Sequence, residues 1–174
     1  TFDGSHFTLY ETTQAVGSFR DVLAQMLGVR KENVRVVTEY LGTGFGGKLW
    51  PWPQSLLAAA AARDLRKPVK LVMTRQMTFE SAGHRPHTRQ RVRLGATAEG
   101  KLVSLRHDYA YSRAPLSSYA ENCGESSGFM YSTPNLSVSE AFATRNVGVP
   151  TSMRGPGAVP GLYALESAID ELAV

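Results

Sequence analysis

A glycine-rich loop between a predicted strand and a predicted helix constrains the fold of this chain more than any other feature. Residues 42–48 read Gly-Thr-Gly-Phe-Gly-Gly-Lys and directly follow a β-branched segment, residues 34–41. Four glycines lose much conformational entropy on folding, which is a high cost for a plain turn. Residues 50–53, Trp-Pro-Trp-Pro, delay the next helix, which we expect over residues 54–66. The sequence therefore predicts an ordered loop with a binding role.

Two phosphate-binding motifs fit this loop in part. Gly42, Gly44 and Gly47 satisfy the G-x-G-x-x-G pattern of dinucleotide-binding folds. Asp64 stands near the position expected for the acid that binds the ribose. The loop also has P-loop spacing up to Lys48, but the next residue is a leucine where that motif needs a hydroxyl for Mg²⁺. Both motifs need a helix directly after the glycines, which Trp-Pro-Trp-Pro disfavours, so a non-catalytic module that binds a nucleotide phosphate is the alternative function.

The remaining pattern predicts an α+β fold of mixed β-sheets packed with about three helices. Strands are expected over residues 2–10, 34–41, 69–74, 89–96, 102–110 and 136–143, and helices over 18–27, 54–66 and beyond residue 160. Helices and strands do not alternate regularly, which favours a mixed sheet over repeated βαβ units. Predicted helices and strands are mixed in the first half of the chain, and strands predominate in the second half. This change predicts two units, residues 1–80 and 81–174.

Composition excludes several other classes of protein. The 174 residues are 43% hydrophobic and 20% charged, typical of a globular protein, and the net charge of +4 is too small to indicate nucleic acid. No apolar run approaches the roughly 20 residues of a membrane helix. The single cysteine, Cys123, excludes a disulfide framework and a self-contained iron–sulfur cluster. Its neighbours Glu121 and Glu125 are expected to raise the pKa of its thiol.

A basic stretch between residues 84 and 93 has a plainer interpretation. Arg89, Arg91 and Arg93 alternate along one predicted strand, and Arg85 precedes them. We interpret this stretch as a solvated or subunit-contacting face, because no aromatic residues interleave with the arginines for base stacking. The two histidines of the stretch have no cysteine or carboxylate partner at zinc spacing.

Three motifs in a fixed order resemble one known family. They are residues 12–14 (Thr-Thr-Gln), the glycine loop, and residues 153–157 (Met-Arg-Gly-Pro-Gly), with Glu-Ser-Ala-Ile-Asp-Glu-Leu-Ala downstream at 166–173. Together they resemble the molybdenum-binding large subunit of the xanthine dehydrogenase/aldehyde oxidase family, the molybdenum hydroxylases. The resemblance covers nearly the whole chain and corresponds to one internal part of that subunit, of the aldehyde-oxidase-like kind.

The resemblance implies a molybdenum–pterin cofactor, in the cytosine dinucleotide form, whose metal is ligated by the pterin and by no protein side chain. Gln14 matches the family's glutamine that hydrogen-bonds an oxygen ligand of the metal. A glycine loop suits such a cofactor because it allows close approach of the backbone. The family's cofactor-binding positions fall on Gly44, Phe45, Gly46, Arg154 and Gly155.

Leu49 and Pro156 correspond to positions in the family's substrate pocket. Members that oxidise purines carry a glutamate in place of Leu49 and an aromatic residue in place of Pro156. They also carry an arginine near residues 121–124, where this chain has none. Leucine cannot hydrogen-bond a purine, so the resemblance favours aldehydes or other N-heterocycles over xanthine.

The resemblance also implies partners. The whole enzyme adds a water-derived oxygen to a carbonyl or ring carbon. With one cysteine in this chain, the iron–sulfur clusters, and FAD with them, belong to partner subunits or domains. The family's general base is a glutamate in a later motif that this sequence does not contain, so we expect the isolated chain to be inactive.

Overall fold

The fold is α+β as predicted, with four helices where about three were expected. The computed structural model describes residues 1–174. In chain order the elements are β1 Phe7–Tyr10, α1 Val16–Leu27, β2 Val34–Val37, α2 Pro53–Leu65, α3 Arg75–Ser81, β3 Thr88–Ala96, β4 Leu102–Arg113, β5 Asn135–Thr144 and α4 Ala158–Ala173. The contacts divide the chain into two compact units, Thr1–Gly83 and His84–Val174. No helix is both long enough and apolar enough to cross a bilayer.

The first unit is built on a two-stranded parallel sheet covered by α1. β1 pairs with β2, with Phe7 opposite Val34. One face of α1 packs against this sheet and α2. The shared core contains Phe7, Leu9, Phe19, Leu23, Ala24, Leu27, Val34 and Ala59. α1 ends at Gly28 in the left-handed conformation, with φ of 68°, as expected for a glycine after a helix.

Three segments of the first unit differ from the prediction, and one of them is β2, which ends at Val37 and not at residue 41. Residues 69–74 do not form a strand, because the only sheet of this unit is the β1–β2 pair and they have no strand to pair with. The short helix α3 follows instead, and the Thr74 side chain caps it by accepting a hydrogen bond from the Met77 N–H. The first strand also begins later than predicted, because the Asp3 carboxylate accepts the N–H groups of Ser5 and His6 and forms a turn.

The second unit contains a three-stranded mixed sheet in the order β3-β4-β5. β3 and β4 pair antiparallel, and β4 pairs with β5 in parallel. One face of β4 is buried and carries Leu105, His107, Tyr109 and Tyr111. Arg89, Arg91 and Arg93 lie exposed on β3, as the alternation predicted. The connections from β4 to β5 and from β5 to α4, residues 114–134 and 145–157, are mostly irregular.

Candidate functional site

The glycine loop of the first unit is held against residues 13 and 14. The Gln14 N–H donates to the Lys48 carbonyl at 2.9 Å, and the Thr13 hydroxyl donates to the same oxygen at 3.0 Å. Thr13 is buried. Residues 13 and 14, which follow β1, therefore hold the C-terminal end of the glycine loop. The loop follows β2, which is the neighbour of β1 in the sheet.

The Gln14 side chain points into the loop, where only the oxygen of its amide group forms hydrogen bonds. Its Oε1 accepts the Gly46 N–H at 2.9 Å and the Lys48 N–H at 3.3 Å. Backbone N–H groups only donate, so the oxygen must face them and the Nε2 group must face away. Nε2 has no hydrogen-bond partner in the chain, which leaves two N–H donors directed outward beside the loop.

Gly44 is the glycine that makes this arrangement possible. A Cβ at this position would lie 2.3 Å from Gln14 Cδ and 2.4 Å from Gln14 Oε1. Any side chain on residue 44 would displace the amide of Gln14 from the loop. The absence of a side chain at residue 44 therefore allows the Gln14 amide to occupy this position against the loop.

Phe45 and Gly46 form the tip of the loop in left-handed conformations. Phe45 has φ of 50° and Gly46 has φ of 89°. A left-handed conformation is unfavourable for a phenylalanine, and such strain is concentrated at ligand-binding sites. The Phe45 ring is 55% exposed although it is large and apolar. These features fit a surface that contacts a bound group.

The residues after the tip anchor the loop and exclude the two phosphate motifs. Lys48 Nζ donates to the Leu41 carbonyl at 2.7 Å, so this ammonium group is committed to the loop itself. Trp52 Nε1 donates to the Gly47 carbonyl at 2.7 Å, and α2 begins only at Pro53. The glycines therefore do not lie at a helix N-terminus, where a pyrophosphate or a P-loop phosphate would be bound. Trp-Pro-Trp-Pro forms a fixed corner.

Leu49 lies directly after this loop and is half-buried. Its N–H donates to the Gly46 carbonyl at 3.3 Å. A cavity of about 750 Å³ adjoins the loop, and Gly47, Lys48, Trp50 and Trp52 contribute to its wall. Gln14, Phe45 and Leu49 do not line this cavity, so it is separate from the face that carries the Gln14 donors.

The second predicted loop lies in the second unit, directly before α4. Gly155 and Gly157 both adopt left-handed conformations, with φ of 64° and 68°. The side chains of Arg154 and Pro156 are exposed. The Arg154 carbonyl accepts a hydrogen bond of 2.6 Å from Arg85 Nη2. Backbone contacts thus define this loop, while the side chains predicted to contact cofactor and substrate face outward.

Sequence reasoning misplaced Arg85. The basic stretch predicts a solvated or subunit-contacting arginine at this position, but Arg85 forms an ion pair of 2.7 Å with the fully buried Glu121. The two residues are 36 positions apart, and the neighbouring arginines gave Arg85 the appearance of one more surface charge. No sequence signal distinguished it from Arg89.

The remaining reactive side chains form neither a metal-binding cluster nor a nucleophilic site. Cys123 is fully buried, and burial together with the Glu121 carboxylate raises the pKa of its thiol to about 11. The direction predicted from its acidic neighbours is therefore confirmed, and a thiol with this pKa is a poor nucleophile at neutral pH. No group of three or more His, Cys, Asp or Glu side chains could hold a metal ion.

Comparisons with known proteins bear directly on the two loops. The family model described as the molybdopterin cofactor-binding domain matches residues 2–174. The chain is similar to the aldehyde oxidoreductase molybdenum-binding subunit PaoC of Escherichia coli strain K12, at 39% identity over 172 residues, which are 99% of this chain and 23% of that protein.

Two solved structures share the fold. Quinoline 2-oxidoreductase from Pseudomonas putida 86 superposes with a TM-score of 0.85 at 24% identity, covering 97% of this chain and 22% of that one. The aldehyde oxidoreductase from Desulfovibrio gigas also gives a TM-score of 0.85, at 23% identity over 98% of this chain and 19% of that one.

The chain therefore spans less than a quarter of the length of these relatives. Within that span the family match leaves out only Thr1. The match includes both glycine-containing loops and the glutamine whose amide faces outward beside the first of them. The chain belongs to the molybdopterin cofactor-binding domains of the aldehyde oxidoreductase and molybdenum hydroxylase large subunits.

Proposed function

We propose that this chain is the part of a molybdenum hydroxylase that holds the molybdenum–pterin cofactor during aldehyde oxidation, with water as the oxygen source. The observation that carries the proposal is the amide of Gln14, whose oxygen is bound by the loop and whose Nε2 has no partner in the chain. The similarity to a relative named as an aldehyde oxidoreductase supports the substrate class.

The residues present fit such a cofactor. The close contact at Gly44 and the left-handed tip at Phe45 and Gly46 bring backbone and one aromatic ring to the surface beside the Gln14 donors. Arg154 and Gly155 contribute the second binding loop. The cofactor, when bound, supplies the oxygen transfer and the two-electron redox chemistry. The chain supplies binding surfaces, orientation and hydrogen-bond donors, which act best when they are fixed before the reaction begins.

Gln14 is the residue of this chain with a direct role in the reaction. Its Nε2 would donate a hydrogen bond to the bound cofactor, while its Oε1 keeps the side chain in one orientation through the Gly46 and Lys48 N–H groups. A preorganised donor of this kind stabilises charge that develops during the reaction without having to reorient.

The cofactor form and the partners extend the proposal. The cofactor is the cytosine dinucleotide form. Iron–sulfur clusters are normally bound by four cysteines, and this chain has only Cys123, which is buried. The electrons taken from the substrate would therefore pass to iron–sulfur and flavin groups on other subunits or domains. The remainder of the large subunit is a further partner of this chain.

The substrate class follows from Leu49 and Pro156. Both are apolar and neither side chain can hydrogen-bond the ring nitrogens of a purine. A purine ring placed against either side chain would leave polar groups without partners, at a cost of about 1–3 kcal/mol for each group. The ring of an aromatic aldehyde loses no hydrogen bond by contact with either of them. The proposal therefore favours aldehydes over xanthine.

The test is turnover by the full-length protein with an artificial electron acceptor and without dioxygen. We expect kcat/KM for benzaldehyde to exceed that for xanthine by at least about 100-fold, the ratio that corresponds to about 2.7 kcal/mol. Turnover without dioxygen is expected because water supplies the oxygen atom. Equal specificity constants for the two substrates would contradict the assignment of the pocket, and no oxidation of either would contradict the proposed function.

A further inference from the structure

Glu121 is a fully buried carboxylate that the proposed function does not use. Its side chain is 0% exposed and lies in the irregular segment between β4 and β5. A buried charge is strongly unfavourable unless it is paired and hydrogen-bonded. The partners of this carboxylate therefore indicate why the chain retains it.

Three groups donate hydrogen bonds to Glu121, and one of them belongs to the second cofactor loop. Oε1 accepts the Gly157 N–H at 2.8 Å and Arg85 Nη1 at 2.7 Å. Oε2 accepts the Tyr119 hydroxyl. Burial and the Glu121 carboxylate raise the pKa of Tyr119, so this hydroxyl keeps its proton and donates.

Arg85 connects the same carboxylate to two further groups of the loop. Its Nη2 donates to the Arg154 carbonyl at 2.6 Å, and its Nη1 also lies 3.4 Å from the Gly155 carbonyl. The planar guanidinium can make these contacts together because its donors point in fixed directions. The Glu121–Arg85 pair thus binds the backbone of the loop at Arg154, Gly155 and Gly157.

The segment that carries Glu121 also leaves the loop no room to move inward. A Cβ on Gly157 would lie 2.3 Å from the Asn122 carbonyl oxygen, and a Cβ on Gly161 would lie 2.0 Å from the Cys123 carbonyl oxygen. The backbone of residues 121–123 therefore contacts the loop and the first turn of α4 directly. One side of the loop is fixed by packing, and its polar groups are fixed by Glu121 and Arg85.

We propose that Glu121, acting through Arg85, is a positioning residue that holds the Arg154–Gly157 loop in its cofactor-binding conformation. This inference rests on the proposed function, because it assumes that the loop binds the cofactor. Two glycines in left-handed conformations give the loop many alternative conformations, and the buried pair selects one of them. Without it, the Arg154 side chain and the Pro156 ring would leave their positions although the fold around them persists.

The experiment measures cofactor retention in the full-length protein carrying Glu121→Gln. This variant keeps the shape of the side chain but loses the charge that pairs with Arg85. We expect the molybdenum content after gel filtration to fall at least about 10-fold, by analogy with metal sites, where loss of an outer partner costs 10–100-fold in affinity. The Mo(V) electron paramagnetic resonance signal of the remaining protein should also change shape.

Two controls separate positioning from stability. Glu125→Gln removes an exposed carboxylate four residues away and should keep the wild-type molybdenum content. Leu105→Ala removes a buried side chain from β4 and should lower the melting temperature while leaving the bound molybdenum and its signal unchanged. If Glu121→Gln does not fold, Arg85→Lys replaces it, because lysine keeps the charge but cannot span the loop carbonyls.

The outcomes are distinct. A selective loss of molybdenum in Glu121→Gln or Arg85→Lys supports the inference. Wild-type molybdenum content and signal in the folded variant overturn it and leave the proposed function intact. Absence of molybdenum from the wild type and from Glu125→Gln as well overturns the proposed function, and the inference with it.

Discussion

At the scale of single residues, the two polar atoms of the Gln14 amide have different roles. The oxygen anchors the loop, and the nitrogen is available as a hydrogen-bond donor. The oxygen binds the Gly46 and Lys48 N–H groups, and the nitrogen has no partner in the chain. A substitution that keeps the oxygen and removes the N–H donors therefore tests donation without removing the anchor. Alanine would remove both and would also disturb the loop.

Gln14→Glu in the full-length protein is expected to lower kcat by about 100-fold to 1,000-fold, the range measured for loss of a preorganised donor. The carboxylate still accepts both backbone N–H groups, so the melting temperature and the molybdenum content should stay close to the wild type. Gln25→Glu adds the same charge at an exposed position of α1 and is the matched control. Equal kcat in the two variants would show that Gln14 is only an anchor.

The sequence alone could not predict every contact at this scale. Gln14 and Gly46 are 32 positions apart, and only the family resemblance connected them before the structure did. No comparable motif connected Arg85 with Glu121. An arginine among arginines and a glutamate in a Gly/Ser-rich segment both resemble surface charges, and only the tertiary fold brings them together in the interior.

At the scale of the elements, the sequence predicts correctly the helices whose apolar residues recur with helical spacing. It does not predict correctly the structure of residues 69–81. The helical spacing of the apolar residues in α1 and the terminal Gly28 determine that helix locally, so its position follows from the sequence. Residues 69–74 are rich in β-formers, but a strand also needs a neighbour with free backbone groups, which the pattern cannot supply. α3 has seven residues, too few for a period to be recognised.

The packing of α1 is open to a paired test. Leu23 is 0% exposed in the core of the first unit, whereas Met26 on the same helix is 47% exposed. Leu23→Ala is expected to lower the free energy of unfolding by about 2–5 kcal/mol, because it leaves a cavity. Met26→Ala should change it by less than about 0.5 kcal/mol. Chemical denaturation of both variants would reject this packing if the two losses were equal.

β4 contains a histidine that gives the second unit a pH dependence. His107 is fully buried, with Nδ1 2.8 Å from the Ser127 hydroxyl and Nε2 3.0 Å from Gln90 Oε1. Burial lowers the pKa of His107 below its usual 6.5, and the neighbouring Asp108 offsets only part of this effect. The unfolded chain therefore binds a proton at a higher pH than the folded chain does.

The sign of this dependence follows from proton linkage. The stability that neutral His107 contributes is complete above pH 6.5 and is lost as the pH falls from there through the lowered pKa. His107→Gln should be less stable at pH 7 but should lose less stability on acidification. The measurement is the free energy of unfolding from pH 7.5 to 5, with the exposed His6→Gln as control. An unchanged slope in His107→Gln would contradict the assignment.

At the scale of the whole molecule, the account depends on the chain holding a molybdenum cofactor. The family membership rests on a match over residues 2–174, and the two loops and Gln14 are the residues proposed to hold the cofactor. The chain is less than a quarter of the length of its relatives, so the measurement requires the full-length protein.

The most direct test is the molybdenum content of the purified full-length protein, compared with that of Gly44→Ala. A Cβ at residue 44 would lie 2.3 Å from Gln14 Cδ, so the variant cannot keep the loop and the glutamine in place together. We expect the wild type to contain molybdenum and the variant to lose most of it, with a folded protein in both. A wild-type protein that oxidises aldehydes without molybdenum, or a Gly44→Ala protein with full molybdenum content, would contradict it.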